Sequence, residues 1–166
     1  LKIDNSEIKK IENFFKLPCL KINKNKYTSV RNLKSKDSEF SNWLCSNTID
    51  HKIKGYSIVI ISLKPMGKAP GDLTSEKMIY VAELSEKYSF NEIRVTHEQN
   101  LVLPHVKNID LLEVWKFLKS YDLATPNIGL ITDTICCPGM DYCALATARS
   151  IPISQRITEF FKDQKK

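Results

Sequence analysis

No apolar run in these 166 residues approaches the roughly 18 needed to cross a bilayer, and the opening Leu1-Lys2-Ile3-Asp4 has no apolar stretch of a signal peptide. The sequence also lacks an internal repeat, a Cys-x-x-Cys or zinc-knuckle spacing, and any Ser or carboxylate arrangement that would make a catalytic triad. These absences point to a soluble, cytoplasmic protein without membrane contact. What is present is globular: 42% apolar and 27% charged residues, enough at this length for one core. No Met opens the chain, and both termini are read as cuts within a longer protein.

The formal charge of +6 implies a nucleic-acid partner only if it is spread over the folded surface. Residues 1–36 hold 10 Lys/Arg against 3 Asp/Glu, and residues 37–166 hold 15 against 16. The excess is therefore a basic arm on a neutral domain. A Lys/Asn/Ile-rich solvated segment explains it, with a contact to RNA or an acidic protein as the alternative. Five cysteines (Cys19, Cys45, Cys136, Cys137, Cys143) in a chain without secretory signals argue against a disulfide framework. Three of them fall within eight residues, which calls for an explanation.

Residues 6–16 place Ile8, Ile11, Phe14 and Phe15 at helical spacing, and residues 38–45 do so with Phe40, Trp43 and Leu44. The first 50 residues thus read as a helical approach segment that packs onto a neighbour. Residues 56–63 are β-branched and nearly all apolar, the pattern of a strand covered on both faces; Pro65, Gly67, Pro70 and Gly71 then enforce a loop. Thr74 caps a predicted helix with Met78, Val81, Ala82 and Leu84 on its apolar stripe. Residues 93–96 and 101–103 predict two strands around a polar turn. Asp110 and Glu113 read as a capping box ahead of Leu111, Val114, Trp115 and Leu118, and residues 128–135 as a fourth strand.

The resulting order, β-α-β-β-α-β, is the α+β, ferredoxin-like arrangement. The predicted domains are 1–50, the approach segment; 51–135, the ferredoxin-like half-domain; and 136–166, the start of a further lobe with helices over 138–150 and 153–162.

This fold serves RNA binders, sensors and enzymes alike. RNA recognition by the sheet would need stacking aromatics on the third strand, which Asn100-Leu101-Val102-Leu103-Pro104 lacks. His97 and His105 flank the turn, and the expectation is solvated side chains without chemistry. Cys137 and Cys143 stand in a Cys-x5-Cys spacing. A helix starting after Cys137 would aim free N–H groups at the thiolates, so a metal or redox centre is one reading. Thiols packed among Ala144, Leu145 and Ala146 is the other.

Three motifs in order, Gly71-Asp72-Leu73-Thr74, Glu92 through Leu101 (with Arg94-Val95-Thr96-His97-Glu98-Gln99-Asn100), and Thr134-Ile135-Cys136-Cys137-Pro138-Gly139 through Cys143-Ala144-Leu145-Ala146, resemble the second half of the sirohaem-containing nitrite/sulfite reductases. The likeness runs from about residue 40 to the end and leans toward the bacterial sulfite reductase haemoprotein type.

The resemblance implies six-electron reduction of sulfite to sulfide, or of nitrite to ammonia, at a sirohaem bridged to a [4Fe-4S] cluster. Electrons would come from a flavoprotein or ferredoxin. It implies that Cys137 and Cys143 are the first pair of cluster ligands, that Cys136 is a bystander, and that Arg94, Gln99 and Asn100 line the macrocycle. The family's second pair, Cys-x3-Cys, is not among these 166 residues, nor is the anion-binding first half; the turn Glu98-Gln99-Asn100 has no counterpart of the first-half Arg. The expectation is an inactive, colourless piece with neither cofactor bound.

Overall fold

In the computed structural model the described residues are 3–15, 18–20 and 37–163. Most of the basic arm, residues 21–36 among it, lies outside them. The elements are α1 (Asn5–Phe14), α2 (Ser38–Asn47), β1 (Thr48–Asp50), β2 (Tyr56–Ile61), α3 (Ser75–Tyr88), β3 (Arg94–Val95), β4 (Leu101–Lys107), α4 (Leu111–Ser120) and α5 (Ile151–Phe161), with short 3-10 turns at Asn108–Asp110 and Gly139–Asp141. No helix among the described residues is long and apolar enough to cross a membrane.

The sheet is antiparallel throughout, in the order β1-β2-β4-β3. Its helix-facing side carries Val59, Ile61, Leu103 and Val106. Phe40, Trp43 and Leu44 of α2, Val81 and Leu84 of α3, and Leu111, Val114, Trp115 and Leu118 of α4 join them in one core. Each fully buried aliphatic or aromatic side chain of this kind contributes roughly 1.5–3 kcal/mol. Asp37 starts α2 by accepting from the amides of Glu39 and Phe40 at 2.9 and 3.1 Å. Thr74 caps α3 through the amide of Lys77. On α3 the stripe lies over Val81, Leu84 and Ser85, while Met78 faces outward. At α4 no capping box forms, because the chain enters through the 3-10 turn and Glu113 pairs with Lys116 instead. None of α1's residues is buried.

Two expectations are overturned. Residues 128–135 do not form a strand. Gly129 turns the chain at φ +71°, and the side chains of Asn127 and Asp133 satisfy backbone groups that a strand would have paired: Asn127 donates to the carbonyl of Thr132, and Gly129 N–H donates to Asp133 Oδ2. The edge beside β2 is taken by β1, through a hairpin turned at Gly55 with φ +90°. Both α2 and β1, from the predicted approach segment, therefore belong to the sheet and its core.

Nor does an α-helix follow Cys137. Only the turn Gly139–Asp141 forms, and the chain then folds back so that Met140 N–H donates to the carbonyl of Ala148 at 3.0 Å. The helix expected over residues 153–162 is present as α5.

Candidate functional site

The turn between β3 and β4 is closed by Thr96 and Asn100. Thr96 N–H donates to the carbonyl of Asn100, and Asn100 N–H donates back to Thr96 Oγ1. Gln99 takes the left-handed conformation the turn requires, φ +60°. Its carboxamide then meets the backbone of Cys136 twice: Nε2 donates to the Cys136 carbonyl at 2.8 Å, and Cys136 N–H donates to Oε1 at 2.9 Å. Gly71, at φ +80°, passes beneath it; a Cβ on Gly71 would lie 3.0 Å from Gln99 Cβ. The three motifs separated in sequence converge on this one side chain.

Below it lies a buried ion pair that the sequence did not signal. Lys64 Nζ is 2.6 Å from Asp133 Oδ1, both side chains are nearly inaccessible, and the same ammonium donates to the carbonyl of Glu98. Asn100 completes the set, its Nδ2 donating to Asp133 Oδ1 and its Oδ1 accepting from Leu63 N–H. Asn100 is 2% exposed, so its amide is engaged inside the protein. Gln99 and Asn100 border a groove of about 560 Å³ between α3 and the β3–β4 hairpin, with Leu73, Met78, Ile93 and Val95 on its walls.

Arg94 is directed elsewhere. Its guanidinium reaches Glu92 at 2.5 Å, and the other oxygen of Glu92 is 3.1 Å from His105 Nε2. His105 is not the solvated residue expected. Pairing shifts from Ser57↔Val106 to Val59↔Leu103, so β4 carries an extra residue there, and the bulge turns His105 inward to 4% exposure. His105 Nδ1 is 3.2 Å from His51 Nε2, and His51 Nδ1 accepts from Ile53 N–H at 2.8 Å. That last bond fixes the neutral tautomers: His51 Nε2–H donates to His105, whose Nε2–H donates to Glu92. Burial, and then the neighbouring His105, hold the His51 pKa below its usual 6.5. His97, in contrast, is exposed and pairs with the neighbouring Glu98.

The cysteine loop is compact. Cys143 N–H and Tyr142 N–H both donate to the Gly139 carbonyl, at 2.9 and 3.2 Å. A Cβ on Gly139 would meet the Ala148 carbonyl at 2.7 Å and Ser150 N at 2.9 Å. The amides of Met140, Tyr142 and Cys143 are thus engaged within the loop. Cys137 is exposed, Cys143 half-buried and Cys136 buried, with its thiol pKa pushed up by burial. Among the described residues no group of three or more His, Cys, Asp or Glu is gathered to hold a metal ion. Cys137 and Cys143 are thus two thiols of one loop, with no further donors gathered beside them among the described residues. Around them Ile131, Ile135, Met140, Tyr142 and Leu145 are all exposed.

The sequence model described as "Nitrite/Sulfite reductase ferredoxin-like half domain" matches residues 54–121. Residues 54–121 are thus similar to the ferredoxin-like half-domain of nitrite/sulfite reductases. Similar proteins include the chloroplastic ferredoxin-nitrite reductases of Zea mays, 30% identical over 93 residues (52% of this chain, 16% of the relative), and of Spinacia oleracea, 30% over 110 residues (65% and 18%). The ferredoxin-nitrite reductase of Synechococcus elongatus is 30% identical over 91 residues, 52% of this chain and 18% of its own. The chain thus spans less than a fifth of the relatives it matches. These relatives are, by their names, oxidoreductases.

Proposed function

We propose that this chain supplies a ferredoxin-like half-domain and the first pair of cluster thiolates, Cys137 and Cys143, to a larger sirohaem and [4Fe-4S] reductase. The observation that carries the reading is the junction at Gln99, which ties the matched half-domain directly to the residue preceding Cys137. The other two thiolates would come from a separate segment of the larger protein. When bound, the paired groups supply electrons one at a time to a small oxyanion.

This chain's own residues hold and orient. The exposed Cys137 and half-buried Cys143 present sulfur from a loop closed by Gly139, while the buried Cys136 packs behind. Lys64 and Asp133 brace the turn from below. Gln99 borders the groove beside α3, the wall that this half-domain would offer to a macrocycle; Arg94 and the internally bonded Asn100 would support that wall from behind.

Nitrite is the proposed substrate and ferredoxin the proposed donor, since the relatives named above are ferredoxin-nitrite reductases. Sulfite is the alternative reading of the same centre. Reduced ferredoxin should be oxidised by the full-length protein when nitrite is added, with ammonia formed stoichiometrically. Turnover with sulfite and none with nitrite would assign the sulfite reading.

A further inference from the structure

Gln99 combines three features. Its backbone is in the left-handed region, as the turn requires, a conformation that a non-glycine residue keeps only where its surroundings enforce it. Its side chain lies flat over Gly71, whose missing Cβ makes the room. Its carboxamide binds both the N–H and the carbonyl of one residue, Cys136, as a neighbouring strand would.

From this geometry we infer that Gln99 is the positioning residue for Cys137: its two hydrogen bonds to Cys136 fix the backbone from which the Cys137 thiol is presented opposite Cys143. The inference rests on the proposed pairing of those two thiols. It assigns Gln99 a role through the backbone, separate from any contact with a macrocycle. Two anchors hold the loop, the carboxamide before Cys137 and the close approach of Gly139 to residues 148–150 after it. A carboxamide offers an uncharged donor and acceptor on adjacent atoms, spaced to meet the carbonyl and N–H of one residue. Glutamate cannot donate to the Cys136 carbonyl, and Asn is a methylene too short.

The test uses phenylarsine oxide, which condenses with two neighbouring thiols, forming two As–S bonds and releasing water. It is run on the full chain in a Cys136→Ala background, so that only the exposed partner and Cys143 can be bridged. One bridged adduct is expected, and it should disappear in Cys137→Ser and in Cys143→Ser. Gln99→Met keeps the volume over Gly71 and loses both bonds, and bridging should slow about tenfold or more, the loss of two net hydrogen bonds. Gln99→Glu keeps the acceptor alone and should fall between; it also serves if Gln99→Met does not fold. Alkylation of the exposed Cys45 by iodoacetamide should keep its rate, which a general loosening of the fold would not predict. Equal bridging rates in wild type and in the folded Gln99 variants would overturn the inference and leave the thiol pair standing. No bridging in wild type would overturn the pair itself, and the inference with it.

Discussion

Lys64 Nζ and Asp133 Oδ1 meet at 2.6 Å with side chains only 2% and 7% exposed, joining the end of β2 to the segment that leads into the cysteine loop. Removing one partner of such a pair leaves the other charge buried and unpaired, which costs about 3–5 kcal/mol. Lys64→Met and Asp133→Leu alone should each lose about that much in urea unfolding. The double variant should recover most of it, because no charge is then stranded.

His51 gives the protein an acid-sensitive point. Its imidazole faces His105, with the Arg94 guanidinium and the Tyr56 ring beside it, and its Nδ1 is occupied by Ile53 N–H. An added proton has no acceptor without breaking one of these bonds. Because the folded pKa lies below 6.5, the contribution of neutral His51 is complete above that pH. It is lost as pH falls through the lower folded value. Urea midpoints measured between pH 7.5 and 5 should fall more steeply in wild type than in His51→Asn, which keeps an acceptor for Ile53 and cannot titrate. Parallel slopes would contradict the assignment.

Gly139→Ala places a methyl group 2.7 Å from the Ala148 carbonyl at a φ of +59°. The backbone conformation alone costs of order 1–3 kcal/mol. The variant should unfold at lower urea, and its buried Cys136 should be alkylated faster, while Cys45 keeps its rate.

Trp43 is fully buried and contacts the sheet from α2. Trp43→Ala should cost about 3–5 kcal/mol. Deleting Phe15, exposed beyond the end of α1, should leave the urea midpoint within experimental error.

The core-forming helices are legible because their apolar residues recur at helical spacing: Phe40, Trp43 and Leu44 on α2, and Leu111, Val114, Trp115 and Leu118 on α4, are buried as that spacing requires. The fourth strand is not, since residues 128–135 look β-branched while Asn127, Gly129 and Asp133 supply local bonds and a turn that outcompete a ladder. The edge strand Thr48–Asp50 is three residues long, too short to show a period. The helix expected after Cys137 fails for a long-range reason, the return of residues 148–150 onto Gly139. At the site, the cysteine spacing and the Gln99 turn stand out in the sequence. The Lys64–Asp133 pair and the His51–His105–Glu92 chain do not, because each joins residues that only the fold brings together.

As cluster ligands in the larger protein, the role proposed above, Cys137 and Cys143 are each indispensable to its iron-sulfur centre. This role is tested most directly by iron content and visible absorption of the full-length protein carrying Cys137→Ser or Cys143→Ser, beside Cys45→Ser as a control. Each of the first two should lose the cluster's iron and absorption, with the control unchanged. Full iron and an unaltered spectrum in both loop variants would contradict the account.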